Sequence, residues 1–130
     1  MTEEMIVKHV GVGPKQAIDA VGIREFISPA VLETMPYVSS GEVDVYFFKV
    51  VQDPIEECKR HGFVPASPHV VIAINKVDAW AKSHSNFTLW GEGSVMFRCS
   101  DGERSVRVGP HEVRGAEISF RGWWLACVRK

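Results

Sequence analysis

The stretch Trp123-Trp124-Leu125-Ala126-Cys127-Val128 sets the architecture of the sheet and lies shortly before Lys130 in a 130-residue chain. The stretch is apolar at every position, and successive side chains of a strand point to opposite faces of its sheet. A strand with two apolar faces belongs inside a sheet, covered on both sides. The sequence therefore predicts an internal strand over residues 123–128, with the rest of the fold built around it.

Hairpin patterns precede this strand. Apolar residues alternate over 95–99 and again over 106–108, and the turn-forming Ser100-Asp101-Gly102 separates the two runs. Alternation on both sides of such a turn is typical of a β-hairpin. Residues 87–90 form a further predicted strand, and residues 116–120 are expected to pair with the final one.

Two more strands are predicted in the first half of the chain. Residues 43–51 are rich in β-branched and aromatic side chains, which favours a central strand. Residues 5–10, from Met5 to Val10, form a shorter candidate.

Helix starts recur upstream of the hairpins. Proline fits the first turn of a helix. A serine or aspartate before it can accept a hydrogen bond from a free backbone N–H group of that turn. The proline-led starts are Gly13-Pro14, Ser28-Pro29, Asp53-Pro54 and Ser67-Pro68. We expect the first three helices to end near Val21, Met35 and His61, with Gly62 taking the left-handed position after the third.

The segment 67–82 admits two interpretations. Val70–Ile74 alone is typical of a strand, but Val70, Ile74, Val77 and Ala81 keep helical spacing. Helix is favoured for the whole segment, and this places Asn75, Lys76 and Asp78 on its solvent side.

These elements predict an α+β fold in a single domain over residues 1–130. The expected sheet is mostly antiparallel with four to six strands. Three to four helices are expected, mainly in the N-terminal half and packed on one face of the sheet.

Composition restricts the class of protein. The chain is 45% hydrophobic and 24% charged, which is typical of an ordinary globular domain and not of a disordered chain. No apolar run approaches the ~20 residues of a membrane span, so no membrane partner is expected. The acidic start, Met1-Thr2-Glu3-Glu4-Met5, is unlike a signal peptide, so the expected location is the cytoplasm and the three cysteines are expected to be free, buried thiols.

The sequence supports no catalytic, cofactor or metal site. Asn75-Lys76-Val77-Asp78 matches the guanine-recognition motif of GTPases, but the chain has no phosphate-binding loop to accompany it. The Cys58-x-x-His61 spacing lacks the second close pair of ligands that structural zinc takes. Cys99 or Cys127 with His111 and Glu112 would suit nucleophilic catalysis only if the fold brings them together, so a small enzyme with a loop-borne site is the least favoured alternative.

Charge is distributed unevenly along the chain. Residues 1–57 carry ten acidic against four basic side chains, whereas residues 94–130 carry seven basic against four acidic. All four tryptophans lie in residues 80–124, so arginine and aromatic residues are interleaved in the C-terminal half. The candidate binding residues are Arg104, Arg107, Arg114, Arg121, Trp90 and Trp123.

Arginine and tryptophan are favoured both at protein interfaces and where bases stack. The near-zero net charge of −1 favours a protein partner over nucleic acid. The sequence therefore predicts a small cytoplasmic binding or accessory module that contacts another protein, with a homodimer among the options. Nucleic-acid binding through the C-terminal half is the alternative.

Three segments carry a resemblance: residues 62–68, residues 86–90 and the final eight residues, Trp123 to Lys130. Over residues 53–130 the chain resembles small uncharacterised proteins of bacteria and their phages. The resemblance implies an accessory or adaptor role and assigns no site residue.

Overall fold

A computed structural model of the chain describes residues 2–9, 23–36, 41–50, 53–91, 93–100, 103–110 and 122–130. These residues form eight strands and four helices. The strands are β1 (Thr2–His9), β2 (Ile23–Ile27), β3 (Gly41–Lys49), β4 (Phe63–Pro65), β5 (Asn86–Trp90), β6 (Gly93–Ser100), β7 (Glu103–Pro110) and β8 (Trp124–Arg129). The helices are α1 (Pro29–Glu33), α2 (Pro54–Arg60), α3 (Pro68–Val77) and α4 (Ala79–Ser83). The predicted helix over 14–21 and the predicted strand over 116–120 lie outside the described residues.

All eight strands belong to one sheet, in the order β1-β3-β8-β5-β6-β7-β2, with β4 paired to β8 off this path. Most neighbours are antiparallel, and the β5–β8 and β2–β7 pairs are parallel. The predicted α+β class is confirmed. The prediction that residues 123–128 form an internal strand is also confirmed, since Leu125, Ala126 and Cys127 of β8 are all 0% exposed.

The sheet has more strands than the four to six expected. The short strands β2 and β4 account for the difference. Each forms because it pairs with a neighbouring strand, and neither has an alternation of apolar and polar residues that predicts it. Phe63, Val64 and Pro65 pair with the last residues of β8, and β2 pairs with β7 across a bulge. Three residues are too few for alternation to be recognised in a sequence.

The helices begin where the sequence predicts. Ser28, Asp53 and Ser67 are the N-caps of α1, α2 and α3, each followed by proline. The carboxylate of Asp53 accepts hydrogen bonds from the N–H groups of Ile55 at 3.0 Å and Glu56 at 3.3 Å. Gly62 follows α2 with φ of 81°, as predicted. Of the four helices in the described residues, α1 and α2 lie in the N-terminal half and α3 and α4 follow it.

The predicted helix over 67–82 is two helices, because Asp78 interrupts it. Asp78 has extended backbone angles, and its N–H donates to the carbonyl of Ile74 at the end of α3. Its carboxylate caps α4, because it accepts a hydrogen bond from the N–H of Ala81 at 3.0 Å. The solvent-side prediction for Asn75 is wrong: Asn75 is fully buried, whereas Val77, placed on the apolar side, is 74% exposed. A continuous helical wheel does not apply across this break.

Helices cover both faces of the sheet, which corrects the expectation of one covered face. One core lies between the sheet and α1, α3 and α4, and includes Phe47, Ile74 and Ala126. The second core lies on the opposite face, where Cys58 of α2 packs with residues such as Leu125. Strand β8 contributes to both cores because its two faces are apolar.

Asn75 and Asn86 form a buried polar pair beneath α3. Asn75 Nδ2 donates to Asn86 Oδ1 at 2.7 Å, and Asn86 Nδ2 donates to Asn75 Oδ1 at 3.1 Å. Asn75 also donates to the carbonyl of Val71, and Asn86 to those of Ala81 and His84. The pair therefore ties α3, α4 and the start of β5 together.

We expect Asn75→Ala to lower the free energy of unfolding by about 2–3 kcal/mol, because Asn86 Oδ1 is left buried without a donor. The neighbouring substitution Lys76→Ala is the control and should change it by less than about 0.5 kcal/mol. Urea denaturation of both variants measures the difference. Equal stability of the two variants would contradict the structural role of the pair.

Candidate functional site

The sheet divides into two branches at β8. On the edge opposite β3, β8 pairs first with Asn86 and Phe87 of β5 and then with β4. Strand β5 therefore leaves β8 after Phe87, and β4 takes its place. One hydrogen bond bridges the branches, from Thr88 Oγ1 to the carbonyl of Ala66 at 2.5 Å.

A cleft of about 550 Å³ lies beside this branch point. Its walls come from the ends of β5 and β8, from α2, from residues 65–68 between β4 and α3, and from Pro36 after α1. The lining residues are Pro36, Ile55, Pro65, Ala66, Ser67, Pro68, Leu89, Trp90, Gly91 and Val128. Every side chain in this described lining is uncharged and most are apolar, so the cleft suits an apolar ligand.

Trp90 is held in position at the rim of the cleft. Its indole Nε1–H donates to Thr34 Oγ1 at 3.0 Å. The ring lies over Gly93, so closely that a Cβ at that position would be 2.7 Å from two ring carbons. The candidate residue Trp90 therefore presents a fixed aromatic surface to the cleft.

The backbone of β5 also faces this branch point. The hairpin of β5 and β6 closes at the Trp90–Gly93 pair, with Gly91 at φ of 43° in the two-residue connection. In a two-residue connection, the residues on either side of the turn form a hydrogen-bonded pair. The backbone N–H and C=O groups of Trp90 and Thr88 therefore point towards β6. By alternation, the N–H and C=O of Leu89 point the other way, towards the branch point.

Arg107 and Trp123 lie on a different surface, a patch on the same face of the sheet as the second core. With Met96, Arg98 and Ser105 they line a shallow depression of about 10 Å³. The guanidinium of Arg98 lies 5.7 Å from the centre of the Trp123 ring, a cation–π contact. We call this surface the Arg98–Trp123 patch.

Arg104 lies on the opposite face of β7 from Arg107, since the two positions differ by an odd number. Its guanidinium donates to the carbonyl of Asn75 in the last turn of α3. Arginine is favoured there because the last carbonyls of a helix lack partners within it. Arg104 is thus engaged in holding α3, and Arg114 and Arg121 lie outside the described residues.

Cys99, one of the residues considered for nucleophilic catalysis, lies against α4. Cys99 Sγ donates to the carbonyl of Lys82 at 3.2 Å, and burial raises the pKa of the Cys99 thiol, opposed by the charge of Arg104. A raised pKa keeps the thiol protonated and unreactive at neutral pH. His111 and Glu112 lie outside the described residues. Within the described ranges, no three His, Cys, Asp or Glu side chains converge to hold a metal ion.

The branch-point cleft was not foreseen from the sequence, although Trp90 was. Its walls come from five separate segments, and the sequence contains no periodicity that links them. The run from Gly62 to Pro68 is the one local signal, and its Ser67-Pro68 pair predicts a helix start and not a cleft wall.

We expect Gly93→Ala to displace the Trp90 ring, because the added Cβ has no room beneath it. The hydrogen bond to Thr34 should break, and the free energy of unfolding should fall by about 1–3 kcal/mol. The Trp90 indole resonance in ¹H–¹⁵N spectra reports the displacement. Gly41→Ala is the control, since a Cβ there meets nothing within 4 Å; an unmoved indole resonance in Gly93→Ala would show that the ring is not confined.

Within the described residues, no helix is long and apolar enough to span a membrane. Comparison of the chain with models of known protein families, with curated proteins and with solved structures finds no match.

Proposed function

We propose that the chain is a protein-binding module, and that the branch-point cleft binds an extended, apolar segment of a partner protein. The observation that carries this proposal is an apolar cleft of about 550 Å³ beside a strand edge that continues past its last paired residue. A ligand that fits must offer apolar side chains together with backbone hydrogen-bonding groups. An extended peptide offers both.

The backbone of β5 supports recognition by strand addition. In this mode a peptide forms main-chain hydrogen bonds with a sheet edge, and its alternate side chains enter pockets. Leu89 directs its N–H and C=O to the branch point, and the cleft lies directly beside it. Backbone bonds would then position the peptide, while Ile55, Leu89 and Val128 select apolar side chains.

The rigidity of the rim also supports binding. A side chain that is already ordered loses little conformational entropy when a ligand arrives. Trp90 is restrained by Thr34 and Gly93, and the prolines restrict the backbone of the opposite wall. Because the cleft is already ordered, a short peptide segment can bind it with little loss of conformational entropy.

The Arg98–Trp123 patch supports the nucleic-acid alternative less well. Stacking of a base needs an accessible ring face, and Arg98 already lies over Trp123. The depression there holds about 10 Å³, far less than the branch-point cleft. Arg98 and Arg107 are exposed and would contact phosphates, so a salt-sensitive interaction is what this alternative predicts.

The test is selection of a displayed library of random peptides on the full chain, followed by binding measurements with the recovered peptides. Ile55→Lys places an ammonium group at the wall of the cleft, and desolvating that charge should weaken peptide binding at least about tenfold. Val77→Lys is the matched control, because Val77 is 74% exposed and lies outside the cleft. Thermal melting of both variants establishes that they are folded.

We expect the selected peptides to be apolar at alternate positions and to shift the backbone resonances of residues 65–68 and 88–91. Equal binding by the Ile55→Lys and Val77→Lys variants would contradict the proposal. A second contradicting result would be that the chain selects no peptide and binds single-stranded oligonucleotide instead. The affinity for the oligonucleotide would then fall steeply with added salt and in the Arg98→Glu variant. If the chain self-associates and the Ile55→Lys variant does not, the cleft binds a second copy of the chain. That result would overturn the proposal that the partner is a different protein.

A further inference from the structure

Two of the three cysteines meet in the second core. Cys58 lies on α2 and Cys127 on β8, 69 positions apart in the chain, yet their Sγ atoms are 2.9 Å apart. Both side chains are 0% exposed. A disulfide bond is about 2.05 Å long, so closure requires the sulfurs to approach by only about 1 Å.

We propose that Cys58 and Cys127 are a redox pair that closes to a disulfide and thereby fixes α2 to the central strand β8. The expectation from the sequence was of free, buried thiols, since the odd number and wide spacing of the cysteines indicate no pairing. The structure brings together two of the three and separates the third. Cys99 lies against α4, where its thiol bonds Lys82.

The surroundings of the pair differentiate the two sulfurs. The hydrogen bond that Cys58 Sγ shares with Cys127 Sγ lowers the pKa of Cys58, although burial opposes the effect. The same hydrogen bond, together with burial, raises the pKa of Cys127. We assign Cys58 as the attacking sulfur because it lies on the short helix α2, and Cys127 of the buried strand β8 as the sulfur that completes the disulfide.

The oxidant that balances the reaction is a small disulfide such as oxidised glutathione. The Cys58 thiolate attacks one sulfur of that disulfide, the S–S bond breaks, and the first small thiolate leaves. Cys127 then attacks Cys58 Sγ, which releases the second small thiolate, and the proton of Cys127 goes to it. Two protein thiols are oxidised by two electrons, and the small disulfide is reduced to two thiols.

Access to Cys58 is through α2. This helix has seven residues, and its outer side carries exposed Lys59 and Arg60. Short elements of this kind open locally without unfolding the rest of a domain. Once closed, the disulfide prevents that opening, since it joins α2 covalently to a strand buried on both faces.

The disulfide also bears on the branch-point cleft. Ile55 lies one helical turn before Cys58, and Val128 follows Cys127, so oxidation fixes two walls of the cleft relative to each other. This consequence rests on the proposed function, whereas formation of the disulfide does not. Thiol counting tests the disulfide, and peptide binding tests the cleft.

The test uses the full chain with Cys99→Ala, which leaves only the proposed pair. The protein is refolded in mixtures of reduced and oxidised glutathione, so that access does not limit the reaction, then quenched in acid, denatured and alkylated. Intact mass counts the free thiols. We expect two labels in the reduced protein, none in the oxidised monomer, and a cross-link between the peptides that contain Cys58 and Cys127.

Thermal melting tests the fixing of α2. The oxidised protein should melt at least about 5 °C above the reduced protein, because the bond closes a long loop. Cys99→Ala combined with Cys127→Ala is the control, and its melting temperature should not depend on the glutathione ratio. Two alkylated thiols after oxidation, or a cross-link that joins separate chains, would overturn the proposed disulfide. A disulfide that leaves the melting temperature unchanged would show that it does not fix α2 to β8.

Discussion

Strand β8 is enclosed on all four sides, and this constraint determines where the other elements lie. Its edges are taken by β3 on one side and by β5 and β4 on the other. Its faces supply Ala126 to one core and Leu125 and Cys127 to the other. A strand with no polar face gains most when both of its faces leave water, and burial of apolar area is the main favourable term in folding. Helices must then cover both sides of the sheet.

The branch point follows from the same strand. One edge of β8 is longer than β5 can occupy, because β5 leaves after Phe87 to remain with β6 in the hairpin. Strand β4 pairs with the remainder. The divergence of the two branches opens the cleft, and Thr88 and Ala66 are joined across it by a single hydrogen bond. The strand that stabilises the centre of the sheet thus also produces the branch-point cleft.

Buried polar groups adjust the positions of the helices. Asp78 ends α3 and begins α4, so the helical pair bends around the core. Asn75 and Asn86 satisfy each other beneath this bend, and Arg104 bonds the carbonyl of Asn75 from the neighbouring strand β7. Residues that a sequence pattern assigns to a solvated surface therefore serve to hold α3 to the sheet. The Arg98–Trp123 patch and the branch-point cleft lie apart from these contacts.

The local elements follow from the sequence: the capped starts at Ser28, Asp53 and Ser67, the hairpin of β6 and β7, and the burial of residues 125–127. Each depends on neighbours within a few positions, where cap chemistry and alternation act directly. Tertiary structure alone decided the rest. The inward turn of Asn75 needed the break at Asp78 and a partner eleven residues away. The cleft needed walls from five segments, and the Cys58–Cys127 pair needed α2 to pack on β8. Contacts between distant residues leave no period in a sequence, because they depend on how strands are ordered in the sheet and not on the spacing of residues along the chain.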